Sequence, residues 1–142
     1  MTSNQFIELT LADNEEFMGC FHVKSLPYFV PCKFPVSFIL LINHHWVVVK
    51  FLSNKTIFYF DSFGREIINE NLICYLEQKN YRRIIHSKLK VQDFNSEQCG
   101  LFCICFIKFV HSRKDYKKFL FLFDKVETYR NDSIVNTLFS EI

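Results

Sequence analysis

Gln92-Asp93-Phe94-Asn95-Ser96-Glu97-Gln98-Cys99-Gly100-Leu101-Phe102-Cys103 is the stretch on which the fold of this chain turns. A polar loop runs up to Gln98. From Cys99 to Val110 the residues are apolar nearly all round, with Lys108 as the one charge. A helix apolar on every side belongs in the core, and Lys108 can extend its amine to water from there. Cys99 opens the helix, so its thiol faces the preceding loop. There the partial positive charge of the helix end favours thiolate over thiol.

Working outward, Val36 to Ile42 and Trp46 to Leu52 are β-branched and apolar, which predicts two buried strands with Asn43-His44 as their turn. Thr56 to Phe60 predicts a third, ending in the turn Asp61-Ser62-Phe63-Gly64, and the short links predict an antiparallel meander. Ile67 to Gln78 reads as an amphipathic helix, and Arg83 to Val91 as a further strand. Leu9 to Met18 predicts a short N-terminal helix capped by Thr10 or Asp13, after which Phe17-Met18-Gly19-Cys20-Phe21 leads into a loop. Tyr116 to Val126 and Ser133 to Phe139 predict two closing helices, the second capped by Asn131 or Asp132. The expected class is α+β: a small, mostly antiparallel mixed sheet packed on a buried central helix that starts at Cys99, with N- and C-terminal flanking helices.

The chain has 142 residues, 49% of them hydrophobic, and 18 are phenylalanine, so it can bury a substantial core. With only three glycines and three prolines there is little scope for linkers, and residues 1–142 are expected to form a single domain. A net charge of +2 excludes nothing but is too small to point to nucleic acid by itself. The clusters Arg82, Arg83, Lys88, Lys90 and Lys108, Arg113, Lys114, Lys117, Lys118 read as solvated faces. Thr2 to Glu16 lacks the pattern of a secretory signal, and no apolar run reaches the length of a membrane span. The six cysteines therefore read as reduced intracellular thiols.

Two residues upstream complete a cysteine nucleophile system with Cys99. His45, at the start of a strand and on the face of Val47 and Val49, is the expected general base toward the thiol and general acid toward the leaving amine. His44 is its rival, on the other face. Asp61, at the end of the next strand, would fix the imidazole tautomer; a turn aspartate bonding its own backbone is the alternative. Gln92, with the Cys99 backbone N–H, is the expected oxyanion donor, and Gln98 is the alternative. The reading is a cysteine protease with chain order His, Asp, Cys. Cys103 and Cys105 read as buried apolar packing.

These residues resemble the adenovirus-type cysteine proteases (adenain), in the clan that includes the proteases specific for SUMO and ubiquitin-like proteins. The resemblance rests on His45-Trp46, on Phe60-Asp61-Ser62-Phe63-Gly64, on Gln92 through Asn95-Ser96 to Cys99-Gly100-Leu101-Phe102-Cys103, and on Phe17 to Phe21. It covers most of residues 17–110. It implies a monomeric cysteine endopeptidase that cleaves viral capsid precursor proteins during virion maturation, in the virion and the host cell nucleus, with no membrane partner. It also implies a narrow groove for glycine-containing sites, with Trp46 and Gly100 as its lining, although Trp46 reads at least as well as a core residue; viral DNA and a viral peptide are the implied activators, and no cofactor is required otherwise. The adenovirus enzymes carry glutamate where Asp61 stands. Their activating peptide forms a disulfide with a cysteine shortly before the nucleophile, and this chain has none between Tyr75 and Gln98.

Other readings remain open on sequence. The same parts serve a protease that removes SUMO or ubiquitin-like proteins. A relative without catalysis could bind DNA or capsid. A zinc site from Cys20, His22 and Cys32 lacks a second tight ligand pair, so no metal is expected.

Overall fold

The computed structural model describes residues 1–28, 31 and 33–142. In chain order its elements are α1 (Ser3–Thr10), β1 (Phe17–His22), β2 (Val36–Ile42), β3 (His45–Phe51), β4 (Thr56–Phe60), α2 (Glu70–Gln78), β5 (Arg83–His86), α3 (Cys99–Arg113), α4 (Tyr116–Phe121), a single 3-10 turn (Thr128–Arg130) and α5 (Asn131–Glu141). The strands form one sheet in the order β1-β2-β3-β4-β5. β2, β3 and β4 pair antiparallel, as the meander predicts, while β1 and β5 join the two edges in parallel. The class is α+β with a mixed sheet, a central helix beginning at Cys99 and flanking helices.

The meander follows from local chemistry. Asn43 and His44 both take positive φ (49° and 64°), the geometry of a two-residue hairpin turn that Asn favours. Alternation along β3 then sends Val48 to one face and Val47 and Val49 to the other. One face carries Val48, Ile39, Phe58 and Phe60 against α3, α4 and α5; the other carries Val47, Val49, Phe38 and Phe51 against α2. Within α3 every residue from Leu101 to Ile107 is buried. Its Phe106 stacks on Phe60 with ring centres 4.5 Å apart, and edge-on against Phe119 of α4 at 5.5 Å. The sheet is thus clamped between two helical layers, with α3 as the deepest element.

Several expected boundaries differ. The N-terminal helix is Ser3–Thr10, not Leu9 to Met18. Thr2 caps it, accepting the Gln5 N–H at 3.2 Å, while the Gln5 side chain accepts the Thr2 N–H at 2.9 Å. Thr10 instead donates to the Phe6 carbonyl at 2.7 Å. Phe17 to Phe21 is strand, not the approach to a loop, because it finds hydrogen-bond partners along β2. α2 starts at Glu70, where the Asn69 side chain accepts the Leu72 N–H. β5 stops at His86, since the Val91 and Gln92 N–H groups turn back to the Ser62 carbonyl, each at 2.9 Å. α4 ends at Phe121. α5 begins at Asn131 with no side-chain cap: Asn131 faces inward, and Asp132 accepts from Ser96.

Candidate active site

β3 and β4 deliver an imidazole and a carboxylate to the same end of the sheet. The pairing Val48 with Phe60, continued past the strand ends, sets Phe63 opposite His45 and Asp61 diagonal to it on the same face. Accordingly the His45 ring stacks on Phe63, with centres 4.6 Å apart. His45 Nε2 meets Asp61 Oδ1 at 2.7 Å. The same carboxylate oxygen accepts the Phe63 N–H at 2.8 Å, so Asp61 is both turn-former and imidazole partner. The two readings of Asp61 in the sequence are not exclusive.

α3 brings the third group. No side chain caps this helix, so its first N–H groups remain available to the thiol that opens it. His45 and the backbone N–H groups of Trp46 and Gly100 lie close enough to the Cys99 thiol to act on its titration. Since Nε2 is held by Asp61, Nδ1 is the ring nitrogen left for sulfur. Burial works against the thiolate, but His45 and those N–H donors together hold the Cys99 thiol below its ordinary range. Burial likewise opposes the imidazolium. The hydrogen bonds and charges of Asp61 and Cys99 outweigh it and push His45 up to about 9. Each displacement favours the charged form of its group, which biases the pair toward thiolate beside imidazolium. By contrast, burial pushes Cys20 and Cys105 up to about 12 and Cys103 well above its ordinary value.

Gln92 is 1% exposed and joins the turn after Asp61 to the loop before Cys99. Its Oε1 accepts from Ser62 Oγ at 2.5 Å. Its Nε2 donates to the Ser96 carbonyl at 3.0 Å and to Ser96 Oγ at 3.2 Å. Its amide is therefore engaged with the loop that leads to Cys99. The Gln98 N–H donates to the same Ser96 Oγ at 3.1 Å. The sequence alone gives Ser62, Phe63, Ser96 and Asp132 no role at the site. Ser62 and Phe63 were within reach, as neighbours of Asp61 in the turn; Asp132 lies 36 positions from Ser96 and has no local signal.

Trp46 packs by the first turn of α3, and a methyl group added at Gly100 would lie 3.3 Å from Ile7 Cδ1 and 3.5 Å from Trp46 Cδ1. Trp46, Gly100 and Cys99 line a groove of about 400 Å³, walled further by Phe6, Ile7 and Phe139. A second hollow of about 430 Å³ lies on the other side of His45 and Asp61, against Ile42, Val47 and Tyr59. Of the zinc reading, Cys20 and His22 lie on β1, and Cys32 falls outside the described residues. Among the described residues no three His, Cys, Asp or Glu side chains are grouped to hold a metal, and no helix is long and apolar enough to cross a membrane.

No family model and no curated protein matches the chain. Among solved structures it is similar to the crystal structure of the ASFV pS273R protease, with a TM-score of 0.57 and 16% identity, over 88% of this chain and 61% of that one. The likeness is one of fold, and the chain spans about 61% of that protease's length.

Proposed function

We propose that the protein is a cysteine endopeptidase, and that its substrates are viral capsid precursor proteins cut during virion maturation. The observation that carries the reading is the His45–Asp61 pair at 2.7 Å, whose imidazole acts on the titration of the Cys99 thiol at an uncapped helix start. The shared fold with a protein named as a protease supports the reaction class, and the resemblance of the motifs to adenain supports the substrate class.

In this reading the Cys99 thiolate attacks the peptide carbonyl and His45 gives its proton to the leaving amine. Water, deprotonated by His45, then hydrolyses the thioester. Asp61 holds the ring and stabilises its charged form. The Cys99 backbone N–H and the Gln92 amide donate to the oxyanion. Trp46 and Gly100 wall the groove that receives the residues before the cut. Viral DNA and a short viral peptide are the activators to add to such an assay.

The test is co-expression of the enzyme with capsid precursors and mass spectrometry of the products. Defined new termini that vanish with Cys99→Ala and with His45→Ala are expected. Identical cleavage by Cys99→Ala would sink the proposal. Release of a fluorophore from SUMO or ubiquitin, with precursors left intact, would move the substrate class to modified proteins while keeping the chemistry.

A further inference from the structure

The hydrogen bonds around Gln92 continue beyond it. Ser96 Oγ donates to Asp132 Oδ1 at 2.6 Å, in the first turn of α5. Its lone pairs therefore face Gln92 Nε2 (3.2 Å) and the Gln98 N–H (3.1 Å). At the other end Ser62, 0% exposed and adjacent to Asp61, donates to Gln92 Oε1. The result is a directed chain from Ser62 through Gln92 and Ser96 to Asp132.

Each link fixes an orientation that chemistry would otherwise leave free. An amide end can be reversed without changing its shape, but the Ser96 carbonyl can only accept, so Nε2 must face it. A serine hydroxyl can rotate, but the Asp132 carboxylate can only accept, so the Ser96 proton goes there and its oxygen is left as an acceptor. Two neighbouring contacts hold the same loop to the same C-terminal segment. Thr128 donates to Asp93 Oδ1 at 2.8 Å, and Asn131 Nδ2 to the Val91 carbonyl at 2.6 Å.

We infer that Asp132, acting through Ser96, is a positioning residue that keeps the Gln92 amide poised as oxyanion donor, with Ser62 holding its opposite end. The inference rests on the proposed endopeptidase reaction. Both acceptors of the Gln92 Nε2 belong to Ser96, so one of its two hydrogens can bridge the Ser96 carbonyl and Oγ while the second is presented to the oxyanion. The bond to Oγ is then kept as negative charge develops on the scissile carbonyl, and losing it lets the amide plane turn away. A donor already aimed needs little reorganisation as the charge appears.

The experiment separates oxyanion stabilisation from thiol activation. Asp132→Ala, Ser96→Ala and Ser62→Ala are each assayed for kcat and KM on a precursor-derived peptide. The rate of Cys99 alkylation by iodoacetamide is measured in parallel from pH 5 to 10. Alkylation needs the thiolate but no oxyanion donor. The expected result is a fall in kcat of about 10- to 100-fold, KM within about 2-fold, and an alkylation rate and pH profile like those of the parent. Asp132 sits at the surface end of the chain of bonds, so its variant keeps the test usable if Ser62→Ala fails to fold. Unchanged kcat in Asp132→Ala would overturn the inference. So would a parallel loss of kcat and alkylation, which marks general loosening. A parent protein that alkylates at Cys99 but hydrolyses no peptide would instead overturn the proposed reaction, and this inference with it.

Discussion

At the scale of single residues, the decisive quantity is the opposite displacement of two titrations. Cys99 is held below its ordinary range and His45 is raised to about 9, so the reactive ion pair exists between the two. Because each group acts on the other's titration, the two limbs of a pH profile belong to the pair. Activity should rise as pH climbs past the depressed thiol titration and fall as His45 loses its proton near pH 9. Asp61→Asn removes the negative charge that favours imidazolium but keeps an oxygen for Nε2. The alkaline limb of kcat/KM should therefore move down by about 1–3 pH units. Were it to stay near pH 9, Asp61 would not be the source of the raised imidazole. His45→Ala leaves Cys99 with burial and only its backbone donors. Its alkylation rate should then titrate at or above the ordinary thiol value of about 8.5, and a profile still centred well below that value would mean that the helix end alone activates the sulfur.

At the scale of elements, the turn after β4 governs where Asp61 points. Gly64 closes it, donating its N–H to the Asp61 carbonyl at 2.8 Å with φ of +73°. A Cβ there would lie 2.8 Å from backbone atoms of Leu89 and Lys90, which cannot swing aside as a side chain can. Gly64→Ala should cost at least about 2 kcal/mol from the left-handed conformation and the clash together. That is a fall in Tm of roughly 6 °C or more, with loss of kcat as the Asp61 turn is displaced; unchanged Tm and kcat would show that the segment 88–90 yields easily. This turn, the hairpin at Asn43-His44 and α3 were all readable in the sequence, because each is specified by neighbours within a few residues. α1 is harder to place although Thr2 and Gln5 spell its capping box, because the apolar residues Phe17 and Met18 extend a helix-like pattern into what folds as an edge strand. The parallel pairing of β1 with β2 and of β5 with β4 has no local signature, since it is set by crossovers through other elements. The site shows the same division. Cys99, His45 and Asp61 stand out by residue type at strand and helix ends, whereas Ser62, Ser96 and Asp132 are ordinary polar residues until folding joins them.

At the scale of the whole molecule, α3 and β3 each run between two polar clusters of opposite character. One end presents Cys99 and His45. At the other, about 18 Å along the helix axis, Glu16 is 2% exposed between strands and helix. Its Oε1 meets Lys50 Nζ of β3 at 3.2 Å and His111 Nδ1 of α3 at 2.8 Å, and its Oε2 accepts from Ser37 of β2. One carboxylate thus ties the residue just before β1 to two strands and the central helix, beside a hollow of about 480 Å³ that touches none of the residues in the proposed chemistry. A buried charge left alone is far costlier than a buried pair is stabilising. Glu16→Ala strands Lys50, which is 5% exposed, and should destabilise the fold by about 3–5 kcal/mol. Glu16→Leu combined with Lys50→Met removes both charges and should recover most of that loss. In urea unfolding followed by fluorescence, the single variant should therefore show a much lower midpoint than the double. kcat per folded molecule should stay within about 2-fold of the parent in both, because the cluster is a helix length away from the thiol. A double variant as unstable as the single would mean that the ion pair contributes net stability, and a loss of kcat in a fully folded double variant would mean that α3 transmits strain from this cluster to Cys99.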